Sequence, residues 1–344
     1  MKTVFFTGFP GFLGSELLPR ILKRSPEATA LCLVQPKFAP LARERARPLG
    51  DRVRIVEGDI TAPLDVPIGD VSEVFHLAAI YDLSVSRERG MKINVEGTRH
   101  VLDFAERCRS LQRFHYVSTC YVSGRYEGAF REDDLDVGQR FNNFYEETKF
   151  LAEVEVRNRT GLPATIYRPS VVVGDSTTGA TQKFDGPYYV IQWILRQPRV
   201  AVLPVVGRPR RYRFNVVPRD FIIDAIDHLS ARSDSLRKCY QLADPDPLTV
   251  DETLEVIARA SHRRVIRIPL SRSVAKFAID HVPGVYRLLR IPAGAVDYFV
   301  HPTLYDTANT QRDLPLRVPR FADYAARLVE FAAAHPEISA SAMA

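Results

Sequence analysis

Residues 7–14 read Thr-Gly-Phe-Pro-Gly-Phe-Leu-Gly and follow directly on the apolar run Val4-Phe5-Phe6. Three glycines, at 8, 11 and 14, stand between a strand-like run and an amphipathic helical pattern over 12–23, and this constrains the chain more than any other feature. The first permits a tight turn, the second a close approach of backbone to a ligand, and the third close packing of helix on strand. The helix that follows offers free N–H groups and a positive dipole end, so the turn is suited to an anion. Such a turn at the first strand–helix junction predicts a pyrophosphate cradle built from Gly8, Phe9, Pro10, Gly11, Phe12 and Leu13. Pro19 falls inside the same helical pattern, where a proline normally kinks the chain.

The alternation continues. Strand-like runs at 30–34, 53–57, 74–77, 114–118, 164–167 and 239–243 are β-branched or aromatic, and several are apolar on both faces, as a parallel sheet covered by helices requires. Helical patterns between them predict an α/β fold, a Rossmann-type doubly wound parallel sheet. After Gly174 the rhythm changes. Residues 176–213 are rich in loops, glycines and prolines, residues 214–226 lead into a helix, and the remainder reads as helical, basic and less regular. The expected organisation is a dinucleotide-binding domain from residues 1–175 plus 214–245, with a smaller, interleaved C-terminal substrate-binding or lid region from 176–213 plus 246–344.

Net charge is +6, with the basic residues spread along the chain, which suits anionic small molecules and argues against nucleic acid. Cys32, Cys108, Cys120 and Cys239 form no Cys-x-x-Cys pair, so no metal site or disulfide is expected, and reduced thiols point to a cytoplasmic location. No apolar run approaches the ~18 residues of a membrane span, and the N-terminus lacks the pattern of a cleaved signal.

The second strand ends Cys32-Leu33-Val34-Gln35. An acid at that point would hold a ribose 2′-hydroxyl; here Gln35 stands in its place, with Lys37, Arg43 and Arg45 nearby, and cations suit a 2′-phosphate. NADP(H) is therefore the expected cofactor, with NAD(H) the alternative. Asp59 and Ile60 follow the third strand, where a carboxylate can accept the adenine amino group, and Ala78 and Ala79 end the fourth with small residues that let a cofactor lie close. Asn94 reads as a structural residue.

Tyr145 and Lys149, four apart in an amphipathic stretch, share one helical face. A free tyrosine titrates near 10, and a neighbouring ammonium favours the phenolate, so the pair suits proton transfer to a substrate oxygen at neutral pH. Just after a strand, Ser118-Thr119-Cys120 offers hydroxyls: Thr119 is placed to polarise a carbonyl beside Tyr145, with Ser118 beneath it and Cys120 a small buried thiol.

Taken in order, Thr-Gly-x-x-Gly-x-x-Gly, Gly58-Asp59-Ile60, His76-Leu77-Ala78-Ala79, Asn94-Val95-Glu96-Gly97-Thr98, Ser118-Thr119, Tyr145-x-x-x-Lys149 and Arg168-Pro169-Ser170 resemble the extended short-chain dehydrogenase/reductases over about the first 175 residues. Within them the chain is most similar to the branch of fatty acyl-CoA reductases and thioester reductase domains, through Val173-Gly174-Asp175-Ser176, Gly179 and Asn215-Val216-Val217-Pro218-Arg219-Asp220. The resemblance implies an NADP(H)-dependent oxidoreductase acting on a carbonyl or acyl thioester, small or carrier-bound. It also implies that Pro169 and Ser170, with Tyr145 and Lys149, flank the nicotinamide. The branch usually has arginine at the position of Gln35 and valine at that of Arg219. Two alternatives stay open: a nucleotide-sugar epimerase-like enzyme, and a non-catalytic NADP-sensing protein. Dehydratase chemistry is disfavoured, because Cys120 and Tyr121 stand where an acidic pair belongs. Apolar residues interleaved with cations over 271–298, broken at Pro283-Gly284, read either as packing helices or as a lid over an apolar substrate with peripheral membrane contact. A homodimer is left open.

Overall fold

A computed structural model describes residues 2–66, 69–271, 273, 274, 277, 281 and 293–338. Its strands are β1 (Thr3–Thr7), β2 (Thr29–Val34), β3 (Val53–Glu57), β4 (Val71–His76), β5 (Arg113–Val117), β6 (Gly128–Phe130), β7 (Ala164–Pro169), β8 (Val171–Val173), β9 (Val200–Val206), β10 (Val216–Pro218), β11 (Cys239–Leu242), β12 (Arg264–Leu270) and β13 (Thr303–Tyr305). The α-helices are α1 (Gly14–Arg24), α2 (Ala39–Ala46), α3 (Arg87–Gly90), α4 (Gly97–Arg107), α5 (Phe144–Asn158), α6 (Tyr188–Leu195), α7 (Arg219–Ala231), α8 (Val250–Ala260), α9 (Ala308–Asp313) and α10 (Phe321–Ala334).

Seven strands form one parallel sheet in the order β11-β7-β5-β4-β1-β2-β3. The chain builds outward from β1 to β3, then crosses back to β4 on the other side of β1, so the winding reverses between β1 and β4. Ligands of open α/β sheets bind at the carboxyl ends of the strands at such a reversal. The sheet is buried on both faces, which is why its strands read as continuous apolar runs. Val4, Phe6 and Cys32 point to one face, covered by Leu17, Leu18 and Ile21 of α1 and Ile222 and Ile226 of α7. Phe5, Leu31 and Val74 point to the other, against Val101, Leu102 and Phe104 of α4 and Ala152 and Val156 of α5. Each such side chain contributes about 1.5–3 kcal/mol by leaving water. α1 runs through Pro19 without a break.

A second apolar cluster lies off the end of the sheet. It joins Tyr188 and Ile191 of α6, Ala201 and Leu203 of β9, Leu254 and Ile257 of α8, and Tyr324 and Leu328 of α10 to Tyr121 and Tyr298. Here the structure corrects the sequence reading. The stretch read as loop-rich contains α6 and β9, and the remainder read as helical contains β12, which pairs with β9 in a two-stranded parallel sheet. Each of these strands carries a proline, Pro204 or Pro269, which a sequence reading counts against a strand and which only an edge position tolerates. The expected lid over 271–298 falls largely outside the described residues. Among the described residues no helix is long and apolar enough to cross a membrane, and no group of three or more His, Cys, Asp or Glu is placed to hold a metal ion.

Candidate active site

A cleft of about 410 Å³ opens at the carboxyl ends of the strands, over the reversal point. Its floor is the glycine turn between β1 and α1. Gly8 has φ +91°, and a Cβ there would lie 2.8 Å from Leu77 Cβ and 2.9 Å from Ala78 N, so only glycine fits. The turn closes through Gly11 N donating to Gly8 O at 2.9 Å.

Apart from Arg43 and Arg45, the residues named from the sequence for cofactor or catalysis line this one cleft. Gly8, Phe9, Pro10, Gly11, Phe12 and Leu13 form the turn; Gln35 and Lys37 follow β2; Asp59 and Ile60 follow β3; Ala78 and Ala79 follow β4; Thr119 follows β5; Pro169 and Ser170 lie at the end of β7; Tyr145 and Lys149 project from α5. Two of the three cations read near Gln35 lie elsewhere. Arg43 pairs with Glu57, and Arg45 Nη1 donates to Pro10 O at 2.7 Å and Ser15 Oγ at 2.8 Å, bracing the turn from outside. Lys37 alone of the three lines the cleft. Gln35 Nε2 donates to Asp59 Oδ2 at 2.7 Å, tying the ends of β2 and β3 together.

α5 starts where Asn143 Oδ1 accepts from Glu146 N at 3.0 Å, and Glu146 and Glu147 occupy its favourable first turn. This start places Tyr145 one turn before Lys149, both buried. Tyr145 shares a hydrogen bond with the Thr119 hydroxyl. Burial pushes the Tyr145 phenol up, offset in part by that hydrogen bond and reinforced by Glu146 and Asp185. The sequence reading, which had Lys149 lowering it, is corrected: Lys149 Nζ instead donates to Tyr116 Oη at 3.0 Å and Val117 O at 2.9 Å. Burial pushes Lys149 down to about 7, against the pull of Glu153.

Beneath the site lies a buried ionic frame. Ser118 Oγ donates to Glu153 Oε2 at 2.6 Å, and Arg168 grips the same carboxylate through Nε at 3.1 Å and Nη2 at 2.7 Å. Burial opposes the charge on Glu153, but the Arg168 guanidinium, with Arg157 and the Ser118 hydroxyl, holds the carboxyl below its usual range. The frame fixes the backbone that presents Thr119. Cys120 Sγ donates to Arg168 O at 2.9 Å and is fully buried, its thiol pushed up by burial, which leaves no thiolate for chemistry. Asn94 Oδ1 accepts from Ile80 N at 2.9 Å and its Nδ2 donates to Thr148 Oγ1 at 3.0 Å, so it locks the loop after β4 onto α5.

Beside Tyr121, sequence reasoning missed the rest of the far wall, made by Tyr81, Thr181, Lys183 and Asp185. The Tyr81 ring meets Tyr145 edge-on at 4.9 Å, and Lys183 Nζ lies 4.1 Å from the centre of the Tyr81 ring and 3.4 Å from Asp185 Oδ2. These residues come from irregular segments with no periodicity, so no spacing signalled them.

Fold and cleft together are those of the extended short-chain dehydrogenase/reductases. Residues 6–226 match the family described as male sterility protein, and the chain belongs to that family, in the thioester reductase-like branch of the extended enzymes. Among curated proteins, a linear gramicidin synthase of Brevibacillus parabrevis is 26% identical over 74% of this chain and 5% of its own length. The non-canonical nonribosomal peptide synthetase FrzA of Cladobotryum sp is 25% identical over 90% of this chain and 34% of its own length. This chain thus spans about a third at most of these two relatives. The 3-beta-hydroxysteroid dehydrogenase of Mycolicibacterium neoaurum is 28% identical over 78% of this chain and 72% of its own length. Among solved structures, the terminal R domain from the myxalamid PKS-NRPS biosynthetic pathway has a TM-score of 0.83 at 25% identity, covering 98% of this chain and 91% of that one. UDP-glucuronic acid 4-epimerase from Bacillus cereus in complex with NAD shares the fold, with a TM-score of 0.71 at 18% identity over 99% of both chains.

Proposed function

We propose that the protein is an NADP(H)-dependent reductase of an apolar carbonyl or acyl-thioester substrate, free or carrier-bound, with Tyr145 as proton donor. The observation that carries this reading is the convergence of Tyr145, Thr119 and Lys149 on the cleft whose floor is the glycine turn. The turn fits a dinucleotide: Gly8 packs so closely on Leu77 and Ala78 that no side chain stands in the turn there, and α1 begins directly behind it. Gly8, Phe9, Pro10, Gly11, Phe12 and Leu13 would hold the pyrophosphate, Gln35, Lys37, Asp59 and Ile60 the adenosine half, and Ala78, Ala79, Pro169 and Ser170 the nicotinamide half. When bound, the cofactor supplies the hydride.

The chain's own residues do the rest. Tyr145 is held protonated by burial and gives its phenolic proton to the substrate oxygen as charge grows there. The Thr119 hydroxyl, joined to Tyr145, orients the phenol and polarises the same oxygen. Lys149, bonded to Tyr116 Oη and Val117 O, braces the end of β5 that presents Thr119. Ile80, Tyr81 and Tyr121 add apolar and aromatic surface beside the polar Thr181, Lys183 and Asp185, and that surface suits an apolar chain. With a thioester, collapse of the hemithioacetal releases the thiol and an aldehyde; with a ketone, the product is a secondary alcohol. Residues 1–175 plus 214–245 serve dinucleotide binding in this reading, and 176–213 plus 246–344 serve the substrate. Lys37, at the end of β2 with no acid at position 35, supports a 2′-phosphate on the cofactor.

Cofactor consumption with a long-chain acyl thioester, a hydrophobic ketone and a nucleotide sugar, each with NADPH and NADH, tests the proposal. NADPH-dependent turnover of the thioester or ketone, improving with chain length, is expected. Turnover of the nucleotide sugar alone, or a preference for NADH, overturns it.

A further inference from the structure

The parallel pair β9 and β12 covers the second apolar cluster with one face and leaves the other outside. Ala201, Leu203 and Val205 point inward and are buried. The register sets Val200 beside Arg264, Val202 beside Ile266, Pro204 beside Ile268, and Val206 beside Leu270. Side chains in register share a face, so the outer face is a continuous apolar strip with a single cation at one end. It is open to solvent: Val200, Val202, Ile266 and Ile268 are 47%, 39%, 48% and 49% exposed. At seven residues per strand and about 3.3 Å per residue, the strip is roughly 20 Å long. A contiguous apolar patch of this kind on a soluble surface marks an interaction site.

The charge around the strip indicates what covers it. Residues 186–219 hold seven arginines and no acid, and residues 256–271 hold four arginines and no acid, in a chain of 47 basic and 41 acidic residues whose remainder is therefore net acidic. On the inner side, Asp251 of α8 answers Arg210 and Arg267, and Glu255 answers Arg259. Arg199, Arg208, Arg211 and Arg264 are exposed. A second copy of the chain is a poor occupant, because a two-fold contact sets a patch against itself and would bring arginines onto arginines. Short aliphatic side chains in a flat strip, with cations at the rim instead of within it, match a bilayer surface: the aliphatics enter the boundary between headgroups and acyl chains, while guanidinium groups meet lipid phosphates.

We propose that the outer face of β9 and β12 docks the protein on an anionic lipid surface. Docking there would set the substrate side of the molecule at a membrane, since the inner face of β9 belongs to the cluster that includes Tyr121, a wall residue of the cleft. The docking itself is independent of the proposed reaction.

Co-sedimentation of the full chain with vesicles of phosphatidylcholine alone, and of phosphatidylcholine and phosphatidylglycerol in equal parts, tests this. The wild type should bind the anionic vesicles at least about tenfold more tightly than the neutral ones and release on raising salt. Val202→Asp with Ile266→Asp, and separately Arg199→Glu with Arg264→Glu, should each weaken binding at least about tenfold with the far-ultraviolet circular dichroism unchanged. The charge-reversal pair leaves the apolar strip intact, so it keeps the test valid if the aspartate pair fails to fold. Absence of binding, equal binding to both vesicles, or unchanged binding by both variants overturns the proposal. So does a dimer in sedimentation velocity that Val202→Asp dissolves, which would make the face an interface between copies.

Discussion

Among the described residues, no carboxylate forms an ion pair with the Lys149 ammonium. Its hydrogen bonds go to two oxygens, Tyr116 Oη and Val117 O, and burial holds it down to about 7. Tyr116 is itself anchored by a hydrogen bond to Thr98, whose Oγ1 lies 3.0 Å from His76 Nε2, so a buried polar chain runs from the sheet to the catalytic helix. Removing the Tyr116 oxygen takes one of two acceptors from the ammonium and disfavours the charged form further. Tyr116→Phe should therefore move the high-pH fall of kcat/KM to lower pH, with turnover at pH 6 little changed; an unshifted profile would show that Tyr116 only fills space. Glu146 behaves oppositely. Burial, with Asp297 adding, pushes its carboxyl up to about 7 against the hydrogen bonds of Asn142. Between its unfolded value near 4.5 and about 7, the folded chain holds a proton that the unfolded chain has released. Stability then falls as pH rises through that window. Glu146→Gln should flatten this slope, measured as the difference between thermal midpoints at pH 5 and pH 8; an unchanged difference would place the titration elsewhere.

At the level of elements, α5 carries Tyr145 and Lys149, two of the three residues the proposed reaction uses. Its start is set by Asn143, and replacing that residue with alanine should cost about 0.5–2 kcal/mol in urea unfolding, the usual loss of an N-cap. No loss would mean that packing against α4 alone fixes the helix. The elements that were legible in the sequence share a cause. β1, β2, β4, β5, β7 and β11 place apolar residues on both faces because helices cover both, and the glycine turn is legible because sterics leave no alternative at Gly8. β9 and β12 were not legible, since each is an edge strand that tolerates a proline and half of each is exposed. Tyr81, Lys183 and Asp185 escaped for a different reason: loops put them in the cleft, and only tertiary contacts, such as Lys183 against the Tyr81 ring, reveal it. The cations after β2 show the limit of local reading, because Arg43 and Arg45 lie close in sequence to Lys37 but are engaged by Glu57 and by the turn.

Across the whole molecule, the sheet supplies a rigid row of strand ends and the second cluster supplies a wall facing them. Tyr145, Thr119 and Lys149 meet the glycine turn at the seam, and the proposed chemistry is placed there. The most direct test of this account compares wild type and Tyr145→Phe in two measurements on the same samples: NADPH binding by fluorescence titration, and single-turnover NADPH oxidation with a long-chain acyl thioester or hydrophobic ketone. The account predicts near-equal NADPH affinity and oxidation slowed by at least about a hundredfold in the variant, the scale for losing a general acid. Near-normal oxidation by Tyr145→Phe would contradict it.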